Sequence, residues 1–221
     1  MESYYASVNS ESDSCKRPYA LGKRLEQSDG RKAKIMAAAR AQLESGGLPA
    51  FTLEAVAQIG GVSRQTVHNL FKTKSGLLEA LFDQIALEAG MDQMPAVMKQ
   101  SDPDAMLPAF VEIFTRFWSR HRTLLRRIHG IAAVDPELGA AVEARNQRRK
   151  MAAGRIIHRL GGEASQSRIA LLYSLTSFEF FDSLAGASTG TDDAAAIVAA
   201  TVKELFGNTR SIPVHLSQSS T

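Results

Sequence analysis

The chain has 221 residues, 44% of them hydrophobic, a formal net charge of +3 and a single cysteine. That is enough apolar material for one or two modest domains with a real core, whereas one cysteine excludes an internal disulfide framework or a multi-cysteine zinc site. The charge is uneven, with 11 Lys/Arg against 7 Asp/Glu in residues 1–74 and 15 against 16 in the remainder, so the positive excess lies where a polyanion would be met first.

Residues 1–28 are rich in Ser, Asp, Glu, Lys and Arg without a sustained period, and read as a flexible arm. Cys15 sits within it as an exposed bystander. Two readings fit the basic pair Lys23 and Arg24: side chains laid into a minor groove, or an extension that touches nothing. No apolar run approaches a membrane span, and the N-terminus lacks a signal-peptide core, which predicts a cytoplasmic location and no membrane partner. A first helix is predicted from Gly30 to Glu44, turning Ile35, Ala38, Ala39 and Leu43 inward and stopping at Ser45-Gly46-Gly47.

Thr52 to Leu78 carries the most information. Thr52 is placed to cap a helix bearing Leu53, Val56 and Ala57, and Gly60-Gly61 breaks that helix. Val62 plugs the turn and Ser63 caps a second short helix. On it Val67, Leu70 and Phe71 are assigned to the core, while Arg64, Gln65, His68 and Asn69 share the opposite face. Ser75 is expected to cap a fourth helix carrying Leu77, Leu78, Leu81, Phe82 and Ile85. Two short helices joined by a glycine turn, the second with an outward polar face, suit the major groove of a duplex.

This segment resembles the N-terminal DNA-binding domain of the TetR family of one-component bacterial regulators. The pattern runs through Thr52, Val56, Ala57, Gly61-Val62-Ser63, Thr66, Phe71 and Lys74 into Leu77-Leu78, and the likeness spans Gly30 to Leu78. His68 departs from it, standing where the family usually has a phosphate-contacting tyrosine; a histidine keeps a donor there but makes the contact depend on pH. Arg64, Gln65, Thr66 and Asn69 are then the candidate readers of base edges, because arginine pairs bidentately with guanine and glutamine or asparagine with adenine. Thr52, Ser63, His68 and Lys74 are the candidate phosphate contacts, with capping as the first duty of Thr52 and Ser63.

The rest of the chain also reads as helical. Asp102-Pro103 opens a helix through Leu107, Phe110, Val111, Phe114, Phe117 and Trp118, and a shorter one follows through Leu124, Leu125 and Ile128. Asp135-Pro136-Glu137 starts another, running to Leu160 and stopping at Gly161-Gly162. A single long helix is predicted over 166–185, apolar almost all round, and Asp192 or Asp193 opens a final one, 192–206, rich in small residues. The polar tail 208–221 is expected to fray. The fold class is therefore all-α: a helix-turn-helix DNA-binding domain (29–75) followed by a helical effector-binding and dimerisation domain (76–207).

As the resemblance implies, helices 166–185 and 192–206 would form a four-helix homodimer interface, and the central helices would enclose a small-molecule effector, largely apolar. Phe110, Phe114, Phe117, Trp118, Tyr173, Phe178 and Phe181 are the aromatic set from which a pocket, or plain core, would be built. Glu179 and Asp182 interrupt the apolar helix, and three roles stand open: a ligand contact, a salt bridge to arginine, or solvent exposure. The arginine runs 116–127 and 145–159 read as solvated faces, with an anionic effector as a minor alternative. His121, His129 and His158 show no metal-ligand spacing, and no catalytic constellation or cofactor motif is present. The expected function is a ligand-released, homodimeric repressor on a palindromic site in double-stranded DNA. Its rivals are an all-helical enzyme, a non-catalytic helical interaction protein and a non-specific DNA-associating protein.

Overall fold

A computed structural model describes residues 16–46, 51–161, 165–186 and 190–207, with side chains from residue 29 onward. Ten α-helices and no strand occur among the described residues. They divide into two compact units, residues 1–74 and 75–221. The predicted tail and Cys15 lie outside the described residues, as do Gly47 and Gly162 and the side chains of Lys23 and Arg24.

In the first unit, α1 (Lys16–Gly46) begins well before the predicted Gly30, so the second half of the expected arm is helical. The physical reason is local. Lys, Arg, Leu, Glu and Gln propagate a helix readily, and Pro18 falls in the first turn, where its missing N–H removes no helical bond. Ile35, Ala39 and Leu43 are fully buried, as their spacing predicts. They pack with α2 (Leu53–Ile59), which in turn packs on α3 (Arg64–Phe71). Phe51, Val56, Ala57 and Val67 complete this small core. Leu70 does not join it: at 39% exposure it is a surface residue, because Val67 and Phe71 already fill the inward face of α3.

In the second unit, α4 (Lys74–Glu88), whose first residue ends the first unit, buries Leu77, Leu78, Leu81, Phe82 and Ile85. Ser75 is not its cap. It lies inside the first turn, buried, and its hydroxyl donates to Asp135 Oδ1 at 3.0 Å. The other end of α4 is closed by side chains: Arg120 Nη1 donates to Glu88 O (2.9 Å) and Arg116 Nε to Ala89 O (2.8 Å). A 3-10 turn (Met91–Gln93) and a single turn, α5 (Met94–Val97), lead into α6.

α6 (Pro103–Ala132) is the central element and packs against α5, α7, α9 and α10, whose ranges follow. Asp102 accepts from Asp104 N at 3.0 Å and Pro103 takes the first helical position, as predicted. The expected split into a long and a short helix survives as a kink at His121 (φ −123°, ψ 21°). α7 (Pro136–Arg159) starts at the predicted Asp135-Pro136, with Leu138 N donating to Asp135 Oδ1 at 2.9 Å.

The single helix predicted over 166–185 is two, α8 (Gln166–Leu175) and α9 (Phe178–Gly186). Thr176 breaks it. Its hydroxyl donates back to Leu172 O at 2.8 Å, and its carbonyl accepts from the indole of Trp118 at 3.2 Å. Ser177 Oγ then caps α9 by accepting from Phe180 N at 3.1 Å. α10 (Thr191–Phe206) lies against α6, α8 and α9 and buries Ala194, Val198, Val202 and Phe206. No helix among the described residues is long and apolar enough to cross a membrane.

Candidate nucleic-acid interface and cavity

The DNA-facing candidates rest on two capped helix starts. Thr52 Oγ1 accepts from Ala55 N and Ser63 Oγ from Thr66 N, both at 3.1 Å, with each cap in an extended conformation. These bonds satisfy one orphan donor at each end and orient the remaining N–H groups outward from the helix start. Gly61 makes the turn between the helices with φ +62°, a region a side chain would strain. Gly60 serves by closeness instead: a Cβ there would lie 3.2 Å from Val56 O and 3.5 Å from Lys34 O.

α3 buries Val67 completely and Phe71 nearly so, and leaves Arg64, Gln65, His68 and Asn69 exposed. The reading candidates are organised among themselves. Gln65 Nε2 donates to Asn69 Oδ1 at 2.8 Å, holding two amides on one helix face. Thr66, half-buried, has its hydroxyl 2.8 Å from that of Ser63 and is committed to the cap. Arg64 Nε lies 2.5 Å from Glu54 Oε1, a partner the sequence reading did not assign. Lys74 Nζ stands 5.6 Å from the centre of the Phe51 ring.

After α3 the backbone makes a tight turn at Lys72, the non-glycine residue with positive φ (φ 63°, ψ −58°) among those described, with Thr73 N donating to Phe71 O at 2.7 Å. A three-residue turn of this hand is rare and strained.

In the second unit a cavity of about 280 Å³ opens between α4, α5, α6 and α7. Three of the seven predicted aromatics line it: Phe114, Phe117 and Trp118. Phe110 on α6 and Phe178 and Phe181 on α9 are buried without lining the cavity, and Tyr173 stacks its ring 4.1 Å from the Arg149 guanidinium. What the sequence reading missed is the polar wall of Asp83, His129, Arg145, Asn146 and Arg149. The arginines sit in the run read as a solvated face; alternation of Arg145 and Arg149 with Val142 and Ala152 on one helical stripe was the available signal.

The charges on that wall differ in their partners. Arg145 Nη2 is 2.6 Å from Asp83 and its Nη1 3.6 Å from Glu79. Arg149 is buried, and its Nη1 donates to Tyr173 O at 2.5 Å and to Thr176 Oγ1 at 3.2 Å. Burial pushes its pKa below the ordinary value, with Tyr173, Glu179 and Glu143 opposing electrostatically. Glu179 bonds His129 Nδ1 at 3.2 Å, and this hydrogen bond, against the cost of burial, brings its pKa down to about 2. Asp182 is held by Arg122 and Arg126, each at 2.7 Å, so of the three roles open to it the salt bridge is the one observed. No group of three metal-ligating side chains comes together among the described residues.

Residues 35–81 match the model of the bacterial regulatory proteins of the tetR family. That match spans the end of α1, all of α2 and α3 and the start of α4. Solved structures agree in fold. A TetR transcription regulator from Haloarcula marismortui is 18% identical with a TM-score of 0.60, covering 80% of this chain and 96% of that one. A transcriptional regulator from Rhodococcus sp. Rha1 is 18% identical with a TM-score of 0.59, covering 82% and 99%. NalD, the secondary repressor of the MexAB-OprM multidrug efflux pump in Pseudomonas aeruginosa, is 16% identical with a TM-score of 0.57, covering 80% and 96%. No curated protein sequence matches significantly. The matched segment contains the base-reading and phosphate candidates from Thr52 to Lys74.

Proposed function

We propose that this protein is a transcriptional regulator of the TetR family, a homodimeric repressor that binds a palindromic operator and is released by a small-molecule effector. The observation that carries it is the division of α3 into a buried apolar edge, Val67 and Phe71, and an exposed face of Arg64, Gln65, His68 and Asn69. Arg64, Gln65 and Asn69 read base edges in the major groove, and Thr66 adds a methyl and a hydroxyl at the same end. Ser63, Thr52, His68 and Lys74 fix the register on phosphates.

Dimerisation supplies the second reader. α8 and α10 leave Leu171, Ile197 and Leu205 exposed at 42%, 39% and 44%, beside the small exposed residues Ala196, Ala199 and Ala200. Small residues let helices approach closely, and a twofold axis would double this pair into a four-helix contact. Release acts through α4. The helix begins at Lys74, where the reading unit ends, and Phe82, Asp83 and Ala86 on it line the cavity. A ligand that prefers one placement of α4 changes the separation of the two recognition helices, which must match about one helical turn of DNA or a multiple.

Light scattering coupled to size exclusion tests the assembly on which this depends. A dimer is expected, with Ile197→Glu a monomer that has lost at least tenfold in operator affinity while keeping its helical signal. A wild-type monomer that binds operator as tightly as the proposal requires of the dimer would defeat it.

A further inference from the structure

Three arginines of α7 line the cavity, and one of them lacks a counter-charge. Arg145 is neutralised by Asp83 and Glu79. Arg148 is exposed and solvated. Arg149, at 4% exposure, forms no ion pair with a carboxylate among the described residues. The partners of its Nη1 are a carbonyl and a hydroxyl, and among the described residues its Nη2 has only Asn146 Oδ1 at 3.4 Å. Its planar group lies over the rings of Tyr173 (4.1 Å) and Phe114 (5.8 Å). A guanidinium does not shed its proton to escape burial, and a buried cation is tolerated when an anion meets it with good geometry. The carboxylates that act on it, Glu179 and Glu143, do so electrostatically, and Glu179 is occupied with His129. Beside Asp83, His129 and Asn146, the wall carries apolar and soft side chains: Phe114, Phe117, Trp118, Met91 and Met94.

We propose that the effector is a small amphipathic carboxylate, its head received by Arg149 and its aromatic or short aliphatic body laid against Trp118, Phe114, Phe117 and the two methionines. This rests on the reading of the cavity as the effector site, and it replaces a purely apolar ligand with one carrying a single negative charge. A carboxylate matches the fork of a guanidinium in two parallel hydrogen bonds, which a neutral amide cannot do. At about 280 Å³ the cavity is at the small end of ligand pockets, so one ring or a short chain fills it.

Trp118 is the single tryptophan of the chain and part of the wall, so its fluorescence reports occupancy. The full-length protein is titrated with matched acid and amide pairs: benzoate, phenylacetate, 3-phenylpropionate, hexanoate and octanoate against their primary amides, with thermal shift as a second readout. At least one acid is expected to bind tenfold or more tighter than its amide. Arg149→Met brings that preference below threefold, Arg155→Gln, exposed on the same helix and outside the cavity lining, leaves it unchanged, and Arg149→Lys keeps the preference with at least fivefold weaker binding. Should Arg149→Met fail to fold, the wild-type acid-to-amide ratio and Arg149→Lys carry the test. Amides binding as well as acids would overturn the carboxylate assignment and leave the effector cavity standing, as would a preference that persists in Arg149→Met. No response of Trp118 or of melting temperature to any probe would overturn both.

Discussion

Glu54 is the informative perturbation of the proposed DNA-facing surface, because it holds the arginine proposed to read a base. The Arg64–Glu54 pair joins side chains that are 71% and 58% exposed, and an exposed ion pair contributes about 0–1 kcal/mol. A bidentate arginine–guanine contact is worth about 1–3 kcal/mol, so DNA wins the competition, but at a discount equal to the pair. Arg64→Ala should therefore weaken operator binding by roughly 1–2 kcal/mol, about 5- to 30-fold. Glu54→Gln should strengthen it by up to about 1 kcal/mol, about fivefold. The two effects share a partner, so the gain from Glu54→Gln should largely vanish in the Arg64→Ala background. Anisotropy of a labelled operator duplex at fixed salt measures all four proteins. Glu54 also lies in the first turn of α2, where losing its charge costs up to about 1 kcal/mol of helix stability, so binding is measured well below the melting transition. Weaker binding by folded Glu54→Gln, or equal gains in both backgrounds, would refute the competition and with it the base-reading role of Arg64.

Other outcomes follow from single features. Lys72→Gly relieves the strained turn after α3 and should raise stability by about 1 kcal/mol, a few degrees in a thermal melt; a lower Tm would show the turn to be unstrained. Gly61→Ala places a side chain at φ +62° and should destabilise by about 1–2 kcal/mol in chemical denaturation, whereas no change would mean the turn relaxes freely. Asp135→Ala removes both the cap of α7 and the acceptor for Ser75, so a loss of about 1–2 kcal/mol is expected in urea unfolding, and more than Ser75→Ala alone. Glu179 has its carboxyl pKa depressed to about 2 by the bond from His129, so the stabilisation is present above about pH 4.5 and is lost as pH falls toward 2. Its side chain is 66% exposed, which limits the effect to under about 1 kcal/mol. Urea midpoints of wild type and Glu179→Gln should differ at pH 5 and converge near pH 2; an equal gap at both would contradict the linkage.

The helix-turn-helix was legible because its determinants are close in sequence: Thr52 and Ser63 cap helices that start beside them, Gly61 turns in place, and Val56, Ala57 and Val67 declare their face by spacing alone. The same holds for Asp102-Pro103 and Asp135-Pro136. The break between α8 and α9 was not legible, because the groups that take up the carbonyls of Thr176 and Tyr173 are Trp118 and Arg149, 58 and 24 residues away. Arg149 illustrates the same limit. Within its own helix it belongs to a charged run, and its burial comes with the packing of α6 and α8 against α7. Leu70 failed for a subtler reason: helical spacing names the apolar side of α3 but does not say how wide an edge the small core can cover.

Selection of bound duplexes from a random pool, followed by affinity against salt, is the measurement closest to the central claim. Enrichment of one palindromic site, with steep salt dependence and with the preference lost in Arg64→Ala, is the predicted result. Salt-dependent binding without enrichment, or enrichment that survives Arg64→Ala, Gln65→Ala and Asn69→Ala together, would contradict sequence reading by the exposed face of α3.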